Sequence, residues 1–321
     1  MPAEFQPPNK DIPVAPPPWT LKSKSWMYCY RDLDNKTVAA AADTDNAAYI
    51  DENPNNCEEI LQGVLANGAY HPCEVVHPDA LRRVDGKPQH NGIFSGLVKA
   101  LVIVRYQDSD VGPYDELIVS PGFFVNPHTG KRYARITNIY VSTDASVWNG
   151  RRNWNIQKHR ARFIWEPVGG KGDQLLKMYH PEDCTKPLNP KIPFFTAILK
   201  RSSLPSVPLP RISIASLVQP PLAAPRYPSG VASAVIATDD PENGRENPWL
   251  LTKPMYKGSW GLAYISHLDE TDDARLEGYG DGVGFPQMKI VPIGAYFEGT
   301  IEFGLPEVRG NIFLLNEDEI F

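Results

Sequence analysis

Bulky apolar residues recur along this chain in short runs of strand period rather than at helical spacing. LKSKSWMYCY, residues 21–30, alternates polar with bulky positions, as a half-buried strand does. From residue 92 onward come GIFSGLVKALVIVRYQ, DELIVSPGFFV, KRYARITNIYVST, ARFIWEPV, PFFTAILKR, PRISIASLV, KGSWGLAYISHL and AYFEGTIEFGLPE. Each is rich in Val, Ile, Tyr or Phe and bounded by Pro, Gly, Asn or Asp, which is the signature of strands between turns. The pattern predicts a mostly β (α+β) protein built from curved antiparallel sheets, a sandwich or a barrel, with a few short helices. The prolines fall mainly between the runs, where a missing N–H costs nothing.

Two regions depart from this pattern. The first 18 residues hold seven prolines, which predicts an extended, mobile arm over 1–18, followed by one domain over 19–321. Residues 37–67 turn to Ala, Asn, Asp and Glu, with a helix-prone CEEILQGVLANG ending on Asn67-Gly68, a helix stop. LPSVPLPRISIASLVQPPLAAPRYPSG also carries seven prolines. RISIASLV inside it reads as a strand, so the stretch is a Pro-rich edge of the domain rather than a linker.

Composition narrows the function. A 321-residue chain that is 42% hydrophobic and 22% charged is globular. Its net charge of −6 repels phosphate backbones, so no nucleic-acid partner is expected. No apolar run approaches a membrane span, and the N-terminus shows no basic segment leading into an apolar one; no membrane partner is expected. Cys29, Cys57, Cys73 and Cys184 lack CxxC spacing, which predicts a reducing, cytoplasmic setting.

Several motifs carry no chemistry on inspection. GYGDGVGF lacks GxGxxG spacing and reads as a mobile turn. GIFSG misses the nucleophile elbow by one position, so Ser95 is not a nucleophile. HPCEVVH, residues 71–77, matches no zinc pattern. It reads as a short strand between turns, with partly exposed histidines and a buried Cys73. The acidic LNEDEIF at the C-terminus is a solvated segment.

GRRNWNIQKHRARF, residues 150–163, is different: five Lys or Arg residues, a histidine and two aromatics in an acidic chain. As one regular strand, Lys158, Arg160 and Arg162 would share a solvated face opposite His159, Ala161 and Phe163. A turn or bulge at Asn155-Ile156-Gln157 would instead free Lys158 to point inward. Arg151 reads as a turn anchor bonding backbone carbonyls.

LVKALVIVRYQDSDVGPYDELIVSPG and ITNIYVSTDASVWNGRRNWNIQKHRARF together resemble the acetoacetate decarboxylase-like superfamily, especially its divergent fungal members, over about residues 92–166. The family's tyrosine and glutamate fall on Tyr114 and Glu116, its Gly-Arg on Gly150-Arg151 and its reactive lysine on Lys158. The resemblance implies a barrel or cone of curved sheet and a small organic carbonyl substrate in secondary metabolism. It also implies a Schiff-base lysine performing decarboxylation or related aldol or dehydration chemistry. A lysine of pKa about 10.4 must be held neutral to attack. The resemblance makes Lys158 the nucleophile, Glu116 the acid/base or positioning group and His159 a modulator. It places Tyr114, Arg105, Leu101 and Trp154 around the substrate.

The iminium is itself the electron sink, so no organic cofactor and no metal are expected. The chain departs from the family where Gln157 replaces a proline, His159 a second lysine and Leu101 a further glutamate. The Leu101 exchange implies a larger, less charged carbonyl compound. A non-covalent cyclase or isomerase and a non-catalytic small-molecule-binding protein are the alternatives. The strand edges of such a fold allow a homo-oligomer.

Overall fold

In the computed structural model the described residues are 10–33, 65–77, 80, 93–94, 99–169, 172–184, 186–223, 248–268 and 278–309. Most of the helix expected at 57–68, together with Ser95, Cys57 and the acidic C-terminus, lies outside them.

The strands in chain order are β1 (Trp19–Asp32), β2 (Ile93–Phe94), β3 (Lys99–Asp108), β4 (Tyr114–Ser120), β5 (Phe123–Val125), β6 (Arg132–Ala134) and β7 (Asn138–Val141). A helix α1 (Asp144–Trp154) precedes β8 (Lys158–Arg160), β9 (Arg162–Val168), β10 (Asp173–Tyr179), β11 (Phe195–Arg201), β12 (Val207–Ile212) and β13 (Leu217–Gln219). Last come β14 (Leu250–Thr252), β15 (Met255–Ser266), β16 (Met288–Ile290), β17 (Ile293–Phe303) and β18 (Glu307–Val308).

Twelve strands form one sheet, with the path β8-β7-β4-β3-β1-β17-β15-β11-β10-β9 and with β12 and β16 added to β15 and β1. Its two end strands, β8 and β9, are consecutive in the chain and separated only by Ala161, whose N–H bonds to the Val141 carbonyl at 3.0 Å. The sheet therefore curls until its ends nearly meet, in a barrel-like form. The smaller sheet runs β18-β14-β13-β6-β5-β2. Pairing is antiparallel except for β7 with β8 and β6 with β13.

Because side chains alternate along a strand, the large sheet buries both faces. Leu101, Ile103, Leu117, Val119, Leu176 and Met178 fill the inside of the curl. Leu21, Val104, Tyr106, Ile139 and Val141 lie on the other face, covered by Val147 and Trp154 of α1, by Ile136 and by Leu217. The cavity described below is on this second face.

Of the Pro-rich segment, residues 10–18 run against α1: Ile12 is buried, the Ala15 N–H donates to Asn149 Oδ1 at 2.8 Å, and Asn153 Nδ2 donates to the Ala15 carbonyl at 2.8 Å. RISIASLV is not one strand but ends β12 and, after a break, begins β13 in the other sheet. Pro208 and Pro210 are tolerated in β12 because it is an exposed strand off the sheet's main path.

Candidate active site

The chemistry is placed by the end of α1. Thr143 caps its N-terminus and accepts from the Ser146 N–H, Asp144 stands in the first turn, and Arg151 and Arg152 in the last, each charge complementing the helix dipole. Asn155 ends the helix in the left-handed region at φ 54. The chain then reverses into β8, which lies parallel to β7 with Lys158 beside Ile139 and His159 beside Tyr140. This turn is what removes Lys158 from a solvated stripe: Lys158 is 4% exposed, whereas Arg160 pairs with Asp144 and Arg162 is exposed.

Lys158 Nζ donates to Glu116 Oε2 at 2.7 Å and to Ser146 Oγ at 3.0 Å, and lies 3.5 Å from the Tyr114 hydroxyl. The other oxygen of Glu116 accepts from the Tyr106 hydroxyl at 3.0 Å. An ammonium has three donors, and all three find oxygen here. Burial, and next the charge of Glu116, push the Tyr106 and Tyr114 hydroxyls well above their ordinary pKa, so both stay protonated. Room for the lysine stem comes from Gly150 of α1, where a Cβ would stand 2.6 Å from Lys158 Cδ and 2.7 Å from Cε.

This group opens on a cavity of about 490 Å³. Lys158, Glu116, Tyr114 and Trp154 all line it. Trp154 packs edge-on against Trp19 with ring centres 4.9 Å apart and donates from Nε1 to the Gly304 carbonyl at 3.1 Å. Its role in the wall is apolar.

Leu101, Arg105 and His159 lie elsewhere. On β3 the cavity is lined by Ala100, Val102, Val104 and Tyr106, so Leu101, one residue out of phase, points into the opposite core at 0% exposure. The expectation of a larger and less charged substrate therefore loses its footing on Leu101; the apolar wall is made by its neighbours. Arg105 is out of phase too. It pairs with Asp115 at 3.2 Å and lies over the Trp165 ring at 4.4 Å, in a separate polar groove. Among the described residues, only Tyr106 and Tyr114 border both spaces.

His159 faces away from Lys158 into a buried polar cluster. Its Nε2 is 2.6 Å from Glu74 Oε1, and its ring stacks on His71 at 3.6 Å and 8°. Arg151, fully buried, is bound through both terminal nitrogens to Glu74 rather than to backbone carbonyls. Burial alone would raise Glu74, but Arg151 and His159 outweigh it and hold the carboxyl down at about 2. Burial pushes His159 below its ordinary range despite Glu74. His71 is driven well below, first by burial and then by the charges of His159, His180 and Arg151. Residues 71–77 are thus not a strand: His77 is partly exposed as expected, but His71 and Glu74 are buried and Cys73 is partly exposed. GYGDGVGF is a turn held by Asp281, whose Oδ1 accepts from the N–H groups of Val283, Gly284 and Phe285.

No protein-family model and no curated protein matches the chain. Its neighbours among solved structures are acetoacetate decarboxylases and related enzymes. Acetoacetate decarboxylase from Legionella pneumophila subsp. pneumophila str. Philadelphia 1 is 12% identical over 96% of this chain and 94% of that one, with a TM-score of 0.45. The enduracididine biosynthesis enzyme MppR complexed with pyruvate is 12% identical over 95% and 98%, TM-score 0.42. An acetoacetate decarboxylase-like enzyme from Sphingomonas wittichii RW1 is 11% identical over 97% and 99%, TM-score 0.43.

Sequence reasoning passed over Ser146, Tyr106 and Gly150 as parts of the Lys158 environment. The helix signals were present: Thr143 followed by Asp144, with Arg151-Arg152 and Asn155 at the far end. Read as a helix, 144–154 puts Ser146 and Gly150 four residues apart on one face. That face is the one against which Lys158 lies.

Proposed function

We propose that the protein is an enzyme that forms a Schiff base between Lys158 and the carbonyl group of a small organic compound. The observation that carries this reading is the position of the Lys158 amine, buried in the wall of a cavity of about 490 Å³ and 2.7 Å from a carboxylate.

The residues present account for each proton. Passage of a proton from Nζ to Glu116 Oε2 along the 2.7 Å contact frees the nitrogen lone pair. Nζ bonds to the carbonyl carbon, the C=O π pair passes to the oxygen, and that oxygen takes a second proton from the now positively charged Nζ to become a hydroxyl. Glu116 returns a proton to that hydroxyl, which leaves as water, and the C–N double bond of the iminium forms. The iminium then accepts the electron pair of a bond at the adjacent carbon. That bond is to carbon dioxide in a β-keto acid, to a second carbonyl fragment in a retro-aldol cleavage, or to a proton that Glu116 removes. Tyr106, bonded to Oε1, holds the carboxylate with Oε2 toward the amine. Water exclusion by the surrounding aromatics strengthens these contacts.

Reductive trapping tests the reading. Borohydride added in the presence of β-keto acids and ketones is expected to leave a mass increment on the tryptic peptide containing Lys158, absent when the carbonyl compound is omitted. Binding of such compounds with no increment on Lys158 would replace the covalent enzyme by a binding protein or a non-covalent isomerase.

A further inference from the structure

Resting on the Lys158 reading, we infer that the substrate is an uncharged, elongated, apolar ketone or aldehyde. Its carbonyl end meets Lys158, and its tail lies along β3 and β1 toward the opening beside Cys29 and Ile293.

The register of the sheet gives the cavity a direction. Tyr114 and Tyr106 form one cross-strand row, Glu116 and Val104 the next, Ile118, Val102 and Met27 a third, and Ser120, Ala100 and Cys29 the last. Members of each row line the cavity. From the Glu116 row to the Cys29 row is four residues, about 13 Å at strand rise. At the lysine end the walls are large rings, Tyr106, Tyr114 and Trp154, all buried. At the other end Ala100 and Ser120 are short, Tyr28 and Phe123 supply the rings, and the rim is exposed, with Cys29 open and Ile293 at 56%. The exposed rim at Cys29 and Ile293 opens this end of the cavity, so a bound molecule extends from Lys158 toward Cys29.

Charge sets the chemical class. Among the described residues that line the cavity, the only charged side chains are Lys158 and Glu116, and they neutralise each other. A carboxylate or phosphate carried along the tail would be desolvated among Val102, Ile118 and Met27 with no cation in reach. Methylene groups in the same place are favourable, each tightening binding about threefold to fourfold. The polar groove holding Arg105 does not supply the missing cation, because Arg105 lies on the opposite face of β3 and is already paired with Asp115.

The test uses the whole protein and a series of methyl ketones from acetone to methyl nonyl ketone, with acetoacetate alongside. Two readouts are taken: borohydride trapping at Lys158, and quenching of tryptophan fluorescence, since Trp19 and Trp154 line the cavity. The half-saturating concentration is expected to fall at least 100-fold along the series. The dependence on chain length should collapse in Ala100→Phe and in Ala295→Phe, which fill the channel from two different strands; thermal unfolding establishes that each variant is folded. Chain-length-dependent quenching without trapping would retain this ligand class and overturn the Schiff base. Trapping of acetone or acetoacetate at lower concentrations than methyl nonyl ketone would retain the Schiff base and overturn this inference. Absence of both signals along the series would overturn both.

Discussion

Lys158 and His159 are neighbours in the chain and stand on opposite faces of β8, the amine in the apolar cavity with Glu116 and the imidazole in a separate cluster with Glu74. Two residues that a motif would group together are therefore electrically distinct.

It follows that His159→Asn costs stability before it costs chemistry. Loss of the contact to an ionised Glu74 is expected to lower unfolding free energy by about 1.5–3 kcal/mol. Borohydride trapping at Lys158 in the folded fraction should stay within a few-fold of the parent protein. A folded His159→Asn protein with trapping abolished would place the imidazole in the reaction itself.

The pair on the other face predicts a different signature. Lys158→Met leaves Glu116 buried without its cation, a loss of about 3–5 kcal/mol. Lys158→Met combined with Glu116→Gln removes the stranded charge and keeps an acceptor for Tyr106, so most of that stability should return. Urea midpoints of the two variants decide the matter. A double variant no more stable than Lys158→Met would mean that packing of the lysine stem, not charge, holds the site.

Gly150 supplies a test of geometry alone. In an exposed helix interior Gly→Ala gains about 1 kcal/mol, but here the new Cβ meets Lys158 Cδ at 2.6 Å and Cε at 2.7 Å. The stem must shift, taking Nζ away from Glu116. Gly150→Ala is expected to slow trapping at Lys158 about 100-fold, the usual penalty for a misplaced reacting group. Trapping at the parental rate would show that the stem has a second path to the cavity.

These contrasts also mark how far the sequence could be read. The strand runs and the turns follow from alternation and from the placement of Pro and Gly, and most predicted strands fall on observed ones, whereas the barrel-like curl was implied only by the family resemblance. Tyr114, Glu116 and Lys158 were singled out by the family resemblance, whereas strand alternation alone put Lys158 on a solvated face. Leu101 and Arg105 were misplaced because KALVIVRY is apolar on both faces, so no polar alternation reveals which phase lines the cavity. The polar cluster was illegible for another reason: Glu74 and His71 come from a segment far from His159 in the chain, and nothing local to Arg151, read as a turn anchor, points to Glu74 as its partner.

That cluster makes stability sensitive to acid. His71 and His159 have folded pKa values below the ordinary 6.5, so the unfolded chain binds more protons than the folded one once pH falls below about 6.5. Stability is thus full above that point and declines beneath it. Glu74 adds to the decline lower down, because its folded pKa of about 2 lies under its ordinary 4.5 and its contribution is lost as pH falls through that window. Burial is the main cause of both histidine shifts; Arg151 and His180 add to the cost of charging the two stacked imidazoles, and Glu74 offsets it only in part at His159. Denaturant midpoints taken from about pH 8 to about pH 4 should be level at first and then fall, with a slope approaching 1.4 kcal/mol per pH unit for each proton taken up. His71→Phe keeps a ring against His159 and removes one titrating group, so its slope below about pH 6.5 should be shallower by up to that amount. A flat profile from about pH 8 to about pH 5 in the parent protein would mean that water reaches these imidazoles in the folded state, and the cluster would not be the sealed one described.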